Sequence, residues 1–236
     1  VDAATELSMA FERRTSLCRP FLAALPVTGA AISTLGAPFG SETVCASDSA
    51  AARIDELQFD LGEGPCWDAL ASRRPVLTAD MHGISDRWPL FREALGVTPA
   101  GALFAFPLVL GSLNIGAVDL YRLAPGALTE AQVVEATALS GICARQVLRR
   151  ALSDLPEYDG DDDEPGVGFS RREVHQATGM VLAQLGVTAS DALLIIRGFA
   201  FARGRTVRDV AADIVGRRID FASEWAGPAD PQRDSL

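Results

Sequence analysis

Between Ser153 and Gly168 the chain reads SDLPEYDGDDDEPGVG, and acids, glycine and proline replace the apolar periodicity found on either side. A stretch of that composition cannot bury enough apolar surface to offset the entropy of ordering it. The flanking parts must therefore fold separately. The resulting division of the 236 residues is a first domain over 1–151, an acidic linker over 152–168, a small module over 169–222 and a tail over 223–236. A hydrophobic content of 48% supplies core material for both domains and excludes general disorder or a disulfide-stapled mini-protein.

The net charge of −10 divides along the same lines. Residues 1–151 carry 12 Arg against 16 acids, and the linker carries seven acids and no base. Residues 169–222 carry eight Arg against five acids, a surplus of three positive charges, and the tail carries one against three. An acidic protein thus holds a basic module fenced by acidic segments, and charge has to be read domain by domain.

All 21 basic residues are arginine. Without lysine there is no Schiff-base amine, no Walker-type phosphate-loop lysine and no lysine general base. Cys18, Cys45, Cys66 and Cys143 form no CxxC pair, and with only His82 and His175 beside them no zinc or iron–sulfur spacing arises. No metal site is expected, His82 with no evident partner gives haem ligation little support, and the cofactor is unknown. Reduced thiols in a cytoplasm are the expectation. The apolar run Gly101–Val118 is short for a bilayer and broken by glycine and asparagine, and the N-terminus lacks a basic patch followed by an apolar run. The reading is a cytoplasmic protein without a membrane partner.

In the first domain, Leu7, Phe11, Leu17, Phe21 and Leu25 have helical spacing, with Pro26 as a stop, and predict a leading helix. VTGAAIST (27–34) and TVCAS (43–47) predict a hairpin-like strand pair around GAPFG. Pro65 opens a short helix, residues 75–79 are extended, and WPLF (88–91) forms another short helix or packed turn. ALFAFPLVL (102–110) and NIGAVDLYRL (114–123) flank a turn at 111–113 and read as two core strands. From the cap at Thr129, the series Val133, Ala136, Leu139 or Ser140, Cys143 and Val147 predicts a long helix to about Arg150. This is an α/β sheet domain.

The second module shows three helical patterns, 169–185, 188–203 and 206–218, with Ser170, Thr188 and Thr206 as caps. Its expected core is Val174, Ala177 or Thr178, Val181 and Leu185; Ala192, Ile195 or Ile196 and Phe199; Val207, Val210 or Ala211 and Ile214.

Through FDLGEGPCWDALASRRPV, the block from Asp86 to WPLF, and FAFPLVLGSLNIGAVDLYR, the first domain resembles a GAF domain of the actinobacterial kind. REVHQATGMVLAQLGVTASDALLIIRGFAFARGRTVRDVAADIV resembles an ANTAR domain over nearly its full length. The resemblance implies an α/β GAF-like sensor with a central antiparallel sheet, followed by an all-α three-helix bundle. It implies a signal-responsive regulator, not an enzyme, in which a GAF input that binds a small molecule or dimerises is coupled to an RNA-binding antitermination output. The partners implied are stem-loop RNA in nascent transcripts and a second copy of the chain in a homodimer. The family alanines and glycine map to Ala177, Gly179, Ala192, Ala200 and Ala211, and its arginine to Arg197. Many members have lysine where this chain has Thr178.

Arg171, Arg172 and His175 open the first helix of the module, and Arg197, Arg203, Arg205 and Arg208 surround the second helix and the turn after it. Guanidinium forks at these positions can contact phosphates and splayed loop bases, while an arginine-rich solvated surface is the plainer reading. Ala177, Gly179, Ala192, Ala200 and Ala211 are assigned to close helix packing. In the first domain LGEGPC lacks both GxGxxG spacing and the Walker lysine, and reads as a turn into a helix. Cys66 at that helix start is either a redox-responsive thiol or a buried inert one. Trp67, Trp88, Phe91, Phe104 and Phe106 line a small-molecule pocket or belong to the ordinary core. A DNA-binding regulator and, more remotely, a GAF-fold thiol redox enzyme are the rival readings. The second needs two thiols brought close in space, which sequence separation leaves open.

The −7 linker beside a +3 module suggests that the linker competes with RNA. Replacing Asp161, Asp162 and Asp163 with asparagine is then expected to raise affinity for hairpin RNA at low salt in a fluorescence titration, and unchanged affinity rejects the idea.

Overall fold

The computed structural model describes residues 2–13, 15–36, 40–83, 87–96, 98–153 and 172–224, and divides the chain into two compact units, 1–170 and 171–236. Ser170, Arg171, Asp86, residues 154–168 of the acidic linker and the tail from 225 lie outside the described residues.

The first unit opens with α1 (Ala3–Ser8), α2 (Ala10–Arg13) and α3 (Arg19–Ala24), not with one helix through Leu25. Pro20 sits in the first turn of α3, the place in a helix where a missing N–H costs nothing, and the Ser16 hydroxyl accepts the Cys18 N–H (3.2 Å) in the connection before it. The apolar spacing still registers in burial, since Leu7, Leu17, Phe21 and Leu25 are all in the core.

Strands β1 (Gly29–Thr34) and β2 (Glu42–Ala46) pair antiparallel, as the hairpin reading expects. A helix absent from the sequence reading follows: α4 (Ser49–Leu61), capped by Asp48, which accepts the Ala51 N–H (2.9 Å), and closed by Gly62 at φ 66°. Next come α5 (Pro65–Ser72), with Pro65 in its first turn, then β3 (Val76–Thr78), α6 (Pro89–Leu95), β4 (Ala102–Leu110) and β5 (Leu113–Arg122). The long helix α7 runs Glu130–Ser153, with Thr129 accepting the Gln132 N–H (3.3 Å) at its start.

The five strands form one antiparallel sheet in the order β2-β1-β5-β4-β3. Successive side chains alternate between its faces. Ala30, Ile32, Phe104, Phe106, Val118 and Leu120 point to the face covered by α7 and the N-terminal helices. Ala31, Leu103 and Tyr121 point to the opposite face, where Ile54, Leu57, Trp88 and Phe91 from the α4 and α6 region complete a second cluster. At Gly116 a Cβ would run into the Ser33 carbonyl, so glycine is what lets β5 lie against β1 there.

The second unit comprises α8 (Arg172–Leu185), α9 (Ala189–Ala202), α10 (Val207–Val215) and a final turn, α11 (Phe221–Glu224). Thr188 and Thr206 cap α9 and α10 through the N–H groups of Asp191 and Asp209. Val174, Ala177, Val181, Ala192, Ile196, Ala200, Val207, Val210, Ala211 and Ile214 form the core. Leu185 and Phe199 are half-buried at its margin, and Ile219 and Phe221 close the bundle from the chain beyond α10. No single helix among the described residues is long and apolar enough to cross a membrane.

Phe104 is fully buried between β4 and α7. Phe104→Ala is expected to cost about 3–5 kcal/mol in the urea transition of the first unit followed by near-UV circular dichroism.

Candidate functional site

On the α4 face of the sheet the first unit holds a buried polar cluster. Asp55 is 2% exposed, and its two carboxylate oxygens accept the hydroxyls of Ser33 on β1 and Thr43 on β2, both at 2.5 Å. Gln58, one turn further along α4, donates its amide to Asp119 Oδ2 on β5 (2.8 Å) and accepts the Cys66 N–H at the start of α5 (2.8 Å). Asp119 Oδ1 is buried with no hydrogen-bond partner among the described residues. Burial first, then the neighbouring Asp55 charge, push the Asp119 carboxyl well above the usual carboxylate range, against the opposing pull of the Gln58 hydrogen bond. Sequence reasoning missed this cluster, although an acid inside the apolar strand NIGAVDLYR was a visible signal.

The aromatic residues expected at a pocket do not converge. Phe104 and Phe106, alternate residues of β4, face α7, while Trp88 and Phe91 belong to α6 and its start on the opposite side of the sheet. Trp67 belongs with Cys66, Leu70, Leu35 and Ala117 in a third cluster and gives its indole N–H to the Gln58 carbonyl (2.7 Å). Trp88 gives its indole N–H to Asp68 (3.1 Å), and Arg87 both lies over the Trp88 ring and pairs with Asp68 at 2.6 Å. Cys66, Trp67, Trp88 and Phe104 therefore do not share one cavity. A cavity of about 160 Å³ beside α6 is lined instead by residues including Met81, His82, Arg92 and Thr98.

The expectation of four reduced thiols is also corrected: Cys18 and Cys45 are joined in a disulfide, with Cα atoms 6.3 Å apart. The fold brings the start of α3 onto β2, a proximity that 27 residues of separation do not announce. Cys66 and Cys143 stay buried outside that bond, and burial pushes the Cys143 thiol up. Among the described residues no group of three or more His, Cys, Asp or Glu is arranged to hold a metal ion.

In the second unit Arg172, His175, Arg203, Arg205 and Arg208 are exposed and Arg197 is half-buried. Arg203 stacks over the Phe199 ring, 3.4 Å from its centroid, and Phe199 meets Phe221 edge-on at 5.0 Å. Arg205 pairs with Asp213 at 2.7 Å, so part of its charge is spent inside the bundle. Hydrogen bonds from Arg205 and then Arg218 hold the Asp213 carboxyl below its usual range. Thr178 turns its hydroxyl back onto the Val174 carbonyl (2.7 Å). Ala177, Ala192, Ala200 and Ala211 are buried at helix contacts. Gly179 is not a packing residue: it is exposed, and a Cβ there would meet nothing within 4 Å, because it lies on the outward side of α8. Leu194 and Phe201, 66% and 60% exposed, share the outer face of α9 with Gly198 and were not singled out from sequence.

The GAF domain family model matches residues 16–147, and the ANTAR domain model matches residues 170–215. Solved structures similar to the chain include the GAF domain from an Acinetobacter phosphoenolpyruvate-protein phosphotransferase, at 12% identity and a TM-score of 0.49, covering 67% of this chain and 96% of that one. The corresponding GAF domain from Coxiella burnetii gives 13% identity, a TM-score of 0.48 and coverages of 65% and 95%. Type II free methionine-R-sulfoxide reductase from Thermoplasma acidophilum gives 13%, 0.43, 61% and 96%. No curated protein matches the chain.

The buried cluster predicts a pH dependence. With the Asp119 carboxyl raised, the folded unit keeps a proton that the unfolded chain has already released, so stability falls as pH climbs from the ordinary carboxylate range through the raised value. Asparagine cannot ionise. Asp119→Asn is expected to match the wild type near pH 4 and to exceed it by roughly 1–3 kcal/mol at pH 8 in urea melts, and an unaltered pH profile contradicts this.

Proposed function

The chain belongs to the GAF domain family and carries a C-terminal ANTAR domain, the composition of a signal-coupled regulatory protein, and we propose that it is an RNA-binding transcription antitermination regulator. The GAF domain receives the signal, as a small-molecule ligand or through its dimer interface. The ANTAR bundle recognises stem-loops in a nascent transcript, and two bundles in a homodimer match paired loops.

The observation that supports this best is the mixed surface of α9 and its neighbours. Leu194, Gly198 and Phe201 recur at intervals of four and three along α9, with Phe201 60% exposed, and Arg172, His175, Arg203 and Arg208 are exposed on the same small bundle, whereas Arg197 has its Nε and one Nη buried. An exposed aromatic among guanidinium groups suits unpaired loop bases, which stack on aromatic and arginine planes, whereas duplex DNA is read by a helix that reaches base edges in the major groove. Phosphate contacts would set affinity, and loop bases would set specificity.

A labelled two-hairpin RNA titrated with the full chain between low and physiological salt tests the reading. If four arginines meet phosphates, the log–log slope is about −3, and Arg172→Ala or Arg203→Ala makes it shallower by about 0.7. Phe201→Ala is expected to weaken binding by about tenfold or more at every salt concentration, since a stacking contact is not ionic. Duplex DNA outcompeting the hairpins would overturn the proposal.

A further inference from the structure

The two sulfurs of the Cys18–Cys45 bond sit in unlike surroundings. Cys18 is 1% exposed at the start of α3, inside the cluster that α7 covers. Cys45 is half-buried on β2, the outermost strand on its side of the sheet among the described residues. Cys45 is therefore the more exposed partner, at the margin of the cluster, and Cys18 is held inside it. The remaining thiols are poor substitutes for either. Cys143 lies fully buried on the inner face of α7, where a thiolate is disfavoured, and Cys66, in α5, belongs to a separate cluster.

The bond also has a definite mechanical place. It ties the segment of α1 to α3 to the sheet, and the same segment packs on α7, where Gln146 donates its amide to the Ser8 carbonyl (2.9 Å). Helix α7 is the element from which the chain continues toward the ANTAR domain.

We propose that Cys18–Cys45 is a thiol–disulfide exchange site whose reactant is a dithiol, and that its redox state sets how firmly the N-terminal segment is held against α7. A thiolate of the dithiol attacks Cys45 Sγ. The Cys18–Cys45 bond breaks, its electron pair passes to Cys18 Sγ, and that sulfur takes up a proton. The second thiolate of the dithiol then attacks its own sulfur in the mixed disulfide and releases Cys45, which is protonated in turn. Two electrons and two protons have moved to the protein, and the dithiol leaves as a disulfide. A disulfide oxidant runs the same steps in reverse. After opening, packing and the Gln146 hydrogen bond remain to keep the segment on α7. The site stands independently of the RNA reading, since nothing in it requires an RNA partner.

The test uses the full-length wild-type chain. The protein is oxidised with glutathione disulfide, or reduced natively with dithiothreitol, then denatured in maleimide and weighed intact. Two adducts are expected in the oxidised form, four after reduction and two again after reoxidation. Cys66→Ser should lose one adduct in every state and still cycle. Amide exchange over residues 3–24 should quicken about tenfold or more in the reduced form. Four adducts after oxidation would show that the bond does not form. A bond that resists native dithiothreitol and opens only in denaturant would be a buried cross-link, not an exchange site. Equal amide exchange over 3–24 in both states would remove the mechanical consequence. Each of these three results overturns the proposal.

Discussion

Strand β5 lies at the middle of the sheet, paired on both sides, and every residue along it must face either α7 or the α4 to α6 layer. That alternation governs the first unit. Val118 and Leu120 take the α7 face and belong to the cluster that includes Phe104, Phe106, Ala136 and Cys143. Asp119 and Tyr121 take the other. A carboxyl in the centre of a doubly covered sheet is costly unless something pairs with it or protonates it. Asp119 meets Gln58 through one oxygen and nothing described through the other, so protonation carries much of the compensation.

The same geometry divides the unit's chemistry by face. The Asp55, Gln58 and Asp119 cluster occupies the α4 side, supplied by β1, β2, β5 and α4 together. The disulfide occupies the α7 side, where Cys45 stands opposite Ile32 in register and Cys18 packs among Leu17, Phe21 and Leu25. Hydrogen bonds among β1, β2, β5, α4 and the start of α5 fix the first, and one covalent bond fixes the second.

What the sequence made legible followed from local rules, and what it concealed followed from topology. Pro65, Thr129, Thr188 and Thr206 marked helix starts because a cap or an opening proline acts within four residues. The same rules were available for α4 in Asp48 and Gly62, but its buried face includes Asp55 and Gln58, and these polar residues break the apolar stripe that usually announces a helix. Leu7 to Leu25 kept its spacing while Pro20 divided it, since burial depends on which side chains reach the core and not on an unbroken helix. Cys18 and Cys45, or Phe104 and Trp88, could not be placed together or apart from spacing alone, because that requires strand order and face. In the second unit the buried alanines were readable, whereas Gly179 showed that a small residue at a family position need not face a neighbouring helix.

These placements constrain how an input could reach the output. Helix α7 contacts β4 and β5 but not α4 or α5 to any comparable extent, so whatever occupies or protonates the α4 side must act on α7 through the central strands. A well-packed sheet transmits such a change only as a shift of whole strands, because its interior leaves little room for partial movement. The N-terminal segment needs no such relay. It touches α7 directly through α1, α2 and α3, and one reducible bond adds to the packing that holds it on the sheet. Of the two chemically distinctive places in the GAF domain, the disulfide thus has the shorter physical route to the helix that leads out of it.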